Sequence, residues 1–110
     1  MKLWKISTSP MYTKPDGLRD PQYLRYIRLL PCVVCCTSRG VEAAHTGPHG
    51  IGQKAPDSSA IPLCRKHHRM GPDSYHQLGP VAFQERHRID IAGLVAMFNH
   101  FYRTKIGRAA

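Results

Sequence analysis

Two short pairs of metal-binding side chains, Cys32-Val-Val-Cys35 and Cys64-Arg-Lys-His67, constrain this chain more than any other feature, and 28 residues separate them. His45 lies between the pairs and His68 follows directly. A two-residue gap lets both members of a pair close on one tetrahedral ion, from a tight turn or from a turn running into a helix. Cys32, Cys35, Cys64 and His67 therefore read as a single structural zinc site. Four protein ligands leave no open coordination position, so such a site folds the chain and catalyses nothing. Histidines left over beside it need another explanation, and they are the candidates for chemistry.

Two other uses of the cysteines compete. A redox Cys-x-x-Cys would open a helix after a strand in a βαβ unit, and it would leave Cys64 and His67 without a purpose. Cys36 offers a second partner for Cys32, but the tighter spacing favours Cys35 and makes Cys36 a spare.

At 110 residues there is room for one domain. Nine prolines, nine glycines and 8% aromatic residues imply a thin core. A structural zinc contributes on the order of 10 kcal/mol, comparable to the whole net stability of a small domain. Sixteen Lys and Arg stand against seven Asp and Glu, a formal charge of +9, so a polyanion is the natural partner. No apolar run approaches the ~20 residues needed to span a bilayer. The start, Met1 to Ser7, lacks a signal-peptide apolar core. Nucleic acid is thus preferred over a membrane surface, and thiolate ligands without a secretory signal imply a reducing, cytoplasmic compartment.

Along the chain, residues 1–19 have no sustained period and read as a basic extended arm. Asp20-Pro21 signals the start of a helix of about ten residues ending at Pro31, with Tyr23, Leu24, Tyr26, Ile27 and Leu30 on one face and Arg25 and Arg28 opposite, available to phosphate. Val41 to His45 reads as a strand, and Ala60 to Leu63 as its partner, with Pro62 demoting the second to an edge or a bulge. Arg65 to Met70 suits a short helix stopped at Gly71-Pro72. Another starts at Pro80 and runs to about Arg88. Asp90 caps a last helix whose Ile91, Leu94, Val95, Phe98, Phe101 and Tyr102 form a core stripe. Residues 103–110 then read as a basic tail, which leaves 20–102 as the folded domain. The fold class is α+β, a strand, long loop, strand and helix closed by zinc.

If His67 points into the zinc site from the start of a helix, His68 is rotated by about 100° and faces elsewhere, toward His45 at the end of the preceding strand. Neutral imidazole ligates divalent metals and also removes a proton from water. The run Ala44-His45, Gly50-x-Gly52-x-Lys54, Asp57 and Ile61-Pro62-Leu63-Cys64-x-x-His67-His68 resembles the HNH, or ββα-metal (His-Me finger), nuclease superfamily. It is most similar to small prophage-type members and to the phage recombination-enhancing nucleases, over about residues 20–102.

That resemblance implies a zinc-stapled ββα-metal core with flanking helices, and a metal-dependent DNA endonuclease of low sequence specificity serving phage or prophage recombination or processing. In the resembled pattern His45 is the general base, and His68 ligates a catalytic magnesium or manganese ion that stabilises charge on the scissile phosphate. Lys54, Arg65 and Arg69 hold neighbouring phosphates, with Arg25 and Arg28 as further nucleic-acid contacts, and a recombination-protein filament is a candidate partner. Two positions depart from the family. The residue before the base is Ala44 rather than a ligand, and Ser59 stands where the family carries the asparagine that orients the base. A further metal ligand would come from Asp57, His49 or His76, the last if 71–73 is an insertion, while Asp57 reads equally as the cap of a turn. His49, His87 and His100 otherwise read as surface residues. The departures keep a second reading open, a zinc-stapled nucleic-acid-binding module without catalysis, with a protein-interaction zinc domain third.

Overall fold

The computed structural model describes residues 19–47 and 55–109. The expected arm, apart from Arg19, and His49, Gly50, Gly52 and Lys54 therefore lie outside the described residues. Five elements carry the fold: α1 (Pro21–Arg28), β1 (Val41–His45), β2 (Ala60–Cys64), α2 (Tyr75–His87) and α3 (Ile91–Ala109). A 3-10 turn, Asp57–Ser59, leads into β2, and a π-type turn, Lys66–Met70, leaves it. The architecture is a small α+β domain built on one antiparallel two-stranded sheet.

Helix α1 starts where the sequence predicts. The Asp20 carboxylate accepts from the backbone N–H of Tyr23 and Pro21 occupies the first turn, where a missing N–H costs nothing. It stops at Arg28, sooner than the helix expected to reach Pro31. The residue before a proline is pushed out of the helical region, so the chain unwinds through Leu29 and Leu30 instead. Tyr23 and Ile27, one turn apart, are its buried residues.

Strands β1 and β2 pair from Val41 with Cys64 to His45 with Ala60. Every residue of β2 is buried, whereas in β1 only Ala44 is. Pro62 sits at mid-strand without breaking the pairing, because its carbonyl turns outward and accepts from the N–H of Val33. The turn carrying Cys32 and Cys35 is thereby bonded to the edge of the sheet. Ile61, Leu63, Ile27, Tyr23 and Phe83 form the centre of the core, and Ile91 and Phe98 of α3 close it.

The turn after β2 is wider than an α-helix. Gly71 N–H reaches back to the carbonyl of Lys66 over 2.8 Å, a bond across five residues, and such π turns recur at functional sites. A Cβ at Gly71 would lie 2.9 Å from that carbonyl oxygen, so a side chain there collides with the bond that closes the turn. Helix α2 begins at Tyr75, capped by the buried Ser74, whose hydroxyl accepts from Gln77 N–H. The expected start at Pro80 is instead an internal kink. Gly79 has φ of 82° there, so a short turn and the longer helix meet without sharing regular geometry. Helix α3 runs on to Ala109, so residues 103–109 continue it rather than forming a separate tail. Among the described residues no helix is long and apolar enough to cross a membrane.

Candidate functional site

Cys32, Cys35, Cys64 and His67 come together. Their ligand atoms all lie within 4.8 Å of one another. Cys35 Sγ is 3.8 Å from Cys64 Sγ, and His67 Nδ1 is 3.3 Å from Cys64 Sγ and 3.9 Å from Cys32 Sγ. Bond lengths of about 2.3 Å to sulfur and about 2.0 Å to nitrogen place the corners of a zinc tetrahedron roughly 3.5–3.8 Å apart. The spacing fits, and the cluster can hold a metal such as zinc. Cys36 stays outside it. It adopts φ of 66° and bonds through its N–H to the Cys32 carbonyl, shaping the turn rather than ligating.

The two buried cysteines of the cluster are shifted in opposite directions. Burial pushes the Cys32 thiol up, but hydrogen bonding from the backbone of Cys35, Cys64 and Val34 outweighs it and leaves the thiol below its ordinary range. Cys64 is raised by burial and by the charge of Cys32 beside it, an arrangement a cation would reverse. Burial lowers the pKa of His67 and so favours the neutral, ligating imidazole.

His87 is not the surface residue expected from the sequence. Its side chain is only 8% exposed. It packs edge-on to His67 with ring centroids 5.4 Å apart and tilts against Phe83 at 4.5 Å. Phe83 and His87 are one turn apart on α2 and share the inward face. Nε2 of His87 donates to the Asp73 carbonyl over 2.8 Å, so the ring supports the ligand His67 from behind.

The two remaining candidate histidines occupy different polar networks. His45 Nε2 lies 2.8 Å from Asp57 Oδ1. Asp57 is buried, and its other oxygen accepts from the backbone N–H of Asp20 at 2.6 Å, with Arg19 3.9 Å away. Burial alone would raise its carboxyl, but the His45 bond and the Asp20 N–H outweigh that and hold it below the usual carboxylate range. The residue that holds His45 is therefore Asp57 and not Ser59, the position expected from the family pattern. The Ser59 hydroxyl donates to the Pro56 carbonyl, and the Ser59 carbonyl accepts from the Thr46 hydroxyl and N–H. Ser59 ties the two ends of the loop together instead of touching His45.

His68 meets a residue that sequence reasoning missed. Its Nδ1 lies 2.7 Å from Glu42 Oε1. Arg69 bonds both oxygens of the same carboxylate, at 3.1 and 2.9 Å, and Arg65 approaches at 3.8 Å. Hydrogen bonding to Arg69, above all, lowers the Glu42 pKa to about 2. Arg65 and Arg69, expected to hold phosphates, are thus partly neutralised, though each remains exposed. Burial, the largest influence, lowers the pKa of His68 and so favours its neutral form. His76 stands edge-on to it, with ring centroids 4.7 Å apart.

Strand alternation sets Glu42 with Ala44 on one face of β1 and His45 on the other, three residues or about 10 Å further along. Ala44, fully buried, offers no ligand between them. Tyr75, also missed, reaches over this stretch to bond the Thr46 carbonyl at 3.4 Å. Its signal in the sequence was slight, a tyrosine next to Ser74. Arg25 and Arg28 are exposed on α1, as the helical pattern predicts.

A family model described as "Protein of unknown function (DUF968)" matches residues 11–104. The chain is 40% identical over 50 residues to an uncharacterised protein, YdfU, of Escherichia coli (strain K12); the match covers 43% of this chain and 14% of that protein. No solved structure matches.

Proposed function

This chain belongs to the DUF968 family, and we propose that it is a metal-dependent DNA endonuclease of HNH type, hydrolysing phosphodiester bonds with low sequence specificity in phage or prophage DNA recombination or processing. The observation that carries this reading is the bond from His45 to Asp57. An ionised carboxylate only accepts, so Nε2 bears the hydrogen and Nδ1 is the nitrogen left to take a proton. That is a histidine held by one nitrogen and basic at the other, the arrangement a general base for water requires. His45 ends β1 opposite Ala60, while the cluster sits at the other end of the hairpin, where Val41 pairs with Cys64, and binds it to the turn bearing His68.

His68 and His76 are the side chains that would hold the magnesium or manganese ion. When bound, that ion supplies charge stabilisation to the phosphoryl and leaving oxygens. The zinc cluster holds the hairpin against the turn and takes no part in proton transfer. The exposed guanidinium groups of Arg25, Arg28, Arg65 and Arg69 position the DNA through phosphates, so affinity falls as salt rises.

Buried Ala44 supports a second reading, a zinc-stapled nucleic-acid-binding module without catalysis. A plasmid-nicking assay with added magnesium or manganese separates the two. Cleavage that stops on chelation of the divalent ion, with zinc still bound, supports the enzyme. Salt-sensitive DNA binding with no cleavage under either ion supports the module.

A further inference from the structure

We propose that Glu42 is a positioning residue, fixing His68 with its Nε2 free to take a divalent cation; this inference rests on the nuclease reading above.

Glu42 is an acid on a strand of a strongly basic chain, and it meets His68 from a turn 26 residues away at 2.7 Å. Bound by Arg69 at both oxygens, it is ionised and accepts only. The hydrogen facing Glu42 therefore sits on Nδ1, and Nε2 is the nitrogen turned away from the carboxylate. The side chain of His68 is 15% exposed, so the ring has little freedom to turn over and present the other nitrogen. A carboxylate that takes the second N–H of a ligating histidine fixes both tautomer and direction and raises the basicity of the ligand.

The grouping is more than a surface ion pair. Arg69 and Glu42 alone would make an exposed pair of small worth. The histidine adds a half-buried partner whose own second neighbour is an imidazole, His76, standing edge-on at 4.7 Å. Arg69 then acts on Glu42 and Glu42 acts on His68, while the basic groups around them keep a net positive charge toward DNA.

The test uses the full, zinc-loaded chain with manganese as probe. Free Mn2+ is followed by electron paramagnetic resonance, and the His68 tautomer by 15N chemical shifts of the imidazole. Glu42→Gln is expected to weaken Mn2+ binding about 10- to 100-fold, the usual effect of losing such a partner, and to convert His68 from one tautomer to a mixture, with zinc content unchanged. Arg69→Ala, which leaves the carboxylate on His68, is expected to change Mn2+ affinity far less. Unchanged affinity and tautomer in Glu42→Gln, with His68→Ala losing the site, overturns the positioning role and leaves the nuclease reading standing. Wild-type Mn2+ binding in His68→Ala overturns both. An equal loss in Arg69→Ala and Glu42→Gln overturns the inference in favour of a merely structural ion pair.

Discussion

Asp57 accepts the Nε2 hydrogen of His45 across 2.8 Å while its second oxygen is bonded to the backbone N–H of Asp20 at the start of α1. The first helix, the turn into β2 and the end of β1 thus meet at one buried carboxylate. His45→Ala is expected to lower DNA cleavage by about 10²- to 10⁴-fold, the usual worth of a general base, with zinc content unchanged. Asp57→Asn keeps the size but an amide can present either oxygen or nitrogen, so a smaller rate loss with a shifted pH profile is expected. Plasmid cleavage rates across pH check both. Equal rates for His45→Ala and the parent would remove His45 from the chemistry.

The metal cluster joins the turn at Cys32 to the exit of β2, beside the bond from the Val33 N–H to the Pro62 carbonyl. Cys64→Ser removes a ligand at the point where strand becomes turn. Loss of bound zinc and of the cooperative unfolding transition is expected, since binding energy in such sites is folding energy. Atomic absorption and circular dichroism measure the two, and strong chelation of the parent should produce the same unfolding. A folded, zinc-loaded Cys64→Ser protein would show that the staple lies elsewhere.

The parts legible in the sequence are those governed by local chemistry. The spacing of Cys32, Cys35, Cys64 and His67 anticipates the cluster, the Asp20-Pro21 signal anticipates the cap of α1, and the strand expected over Val41 to His45 matches β1 residue for residue. What escaped depends on partners distant in sequence. Glu42 in β1 carries no local mark of its bond to His68, and Asp57, expected to ligate a metal or cap a turn, holds His45 in place of Ser59 because the 3-10 turn aims the first inward and the second at Pro56. The burial of His87 had a signal, its one-turn spacing from Phe83, but histidine is at home on surfaces and interiors alike. The early start of α2 was hidden by Gly79-Pro80, which reads as a boundary and serves as a kink.

Tyr23 gives the fold a dependence on alkaline pH. Burial, first, and the neighbouring Tyr26 raise its pKa from 10.0 to about 12. A group whose folded pKa is raised contributes stability that is whole below its unfolded value and is lost as pH climbs through the folded one. Stability should therefore decline between about pH 10 and pH 12. Tyr23→Phe should flatten that decline. At neutral pH it should cost about 1 kcal/mol, from the lost bonds to the Ala60 carbonyl and the Asn99 amide. Denaturant midpoints across pH check the slope, and an unchanged slope in Tyr23→Phe would assign the alkaline loss to another group.

Gly71 is the residue that lets the turn after β2 close across five residues. An added Cβ meets the Lys66 carbonyl oxygen at 2.9 Å and the Asp73 carboxylate at 3.3 Å. The first is backbone and is itself the acceptor of the Gly71 N–H, so it cannot retreat without breaking that bond. Gly71→Ala should then destabilise the domain by about 1–3 kcal/mol, the usual cost of overpacking. It should also move His67 and His68, which both ride on the turn. His67 is anchored by Cys64 and His87 and His68 by Glu42, but His68 lies one residue nearer Gly71, so the larger displacement should fall on it. Chemical shifts of the two imidazoles, read beside an unfolding curve, distinguish this from a uniform loosening, in which both rings would shift alike.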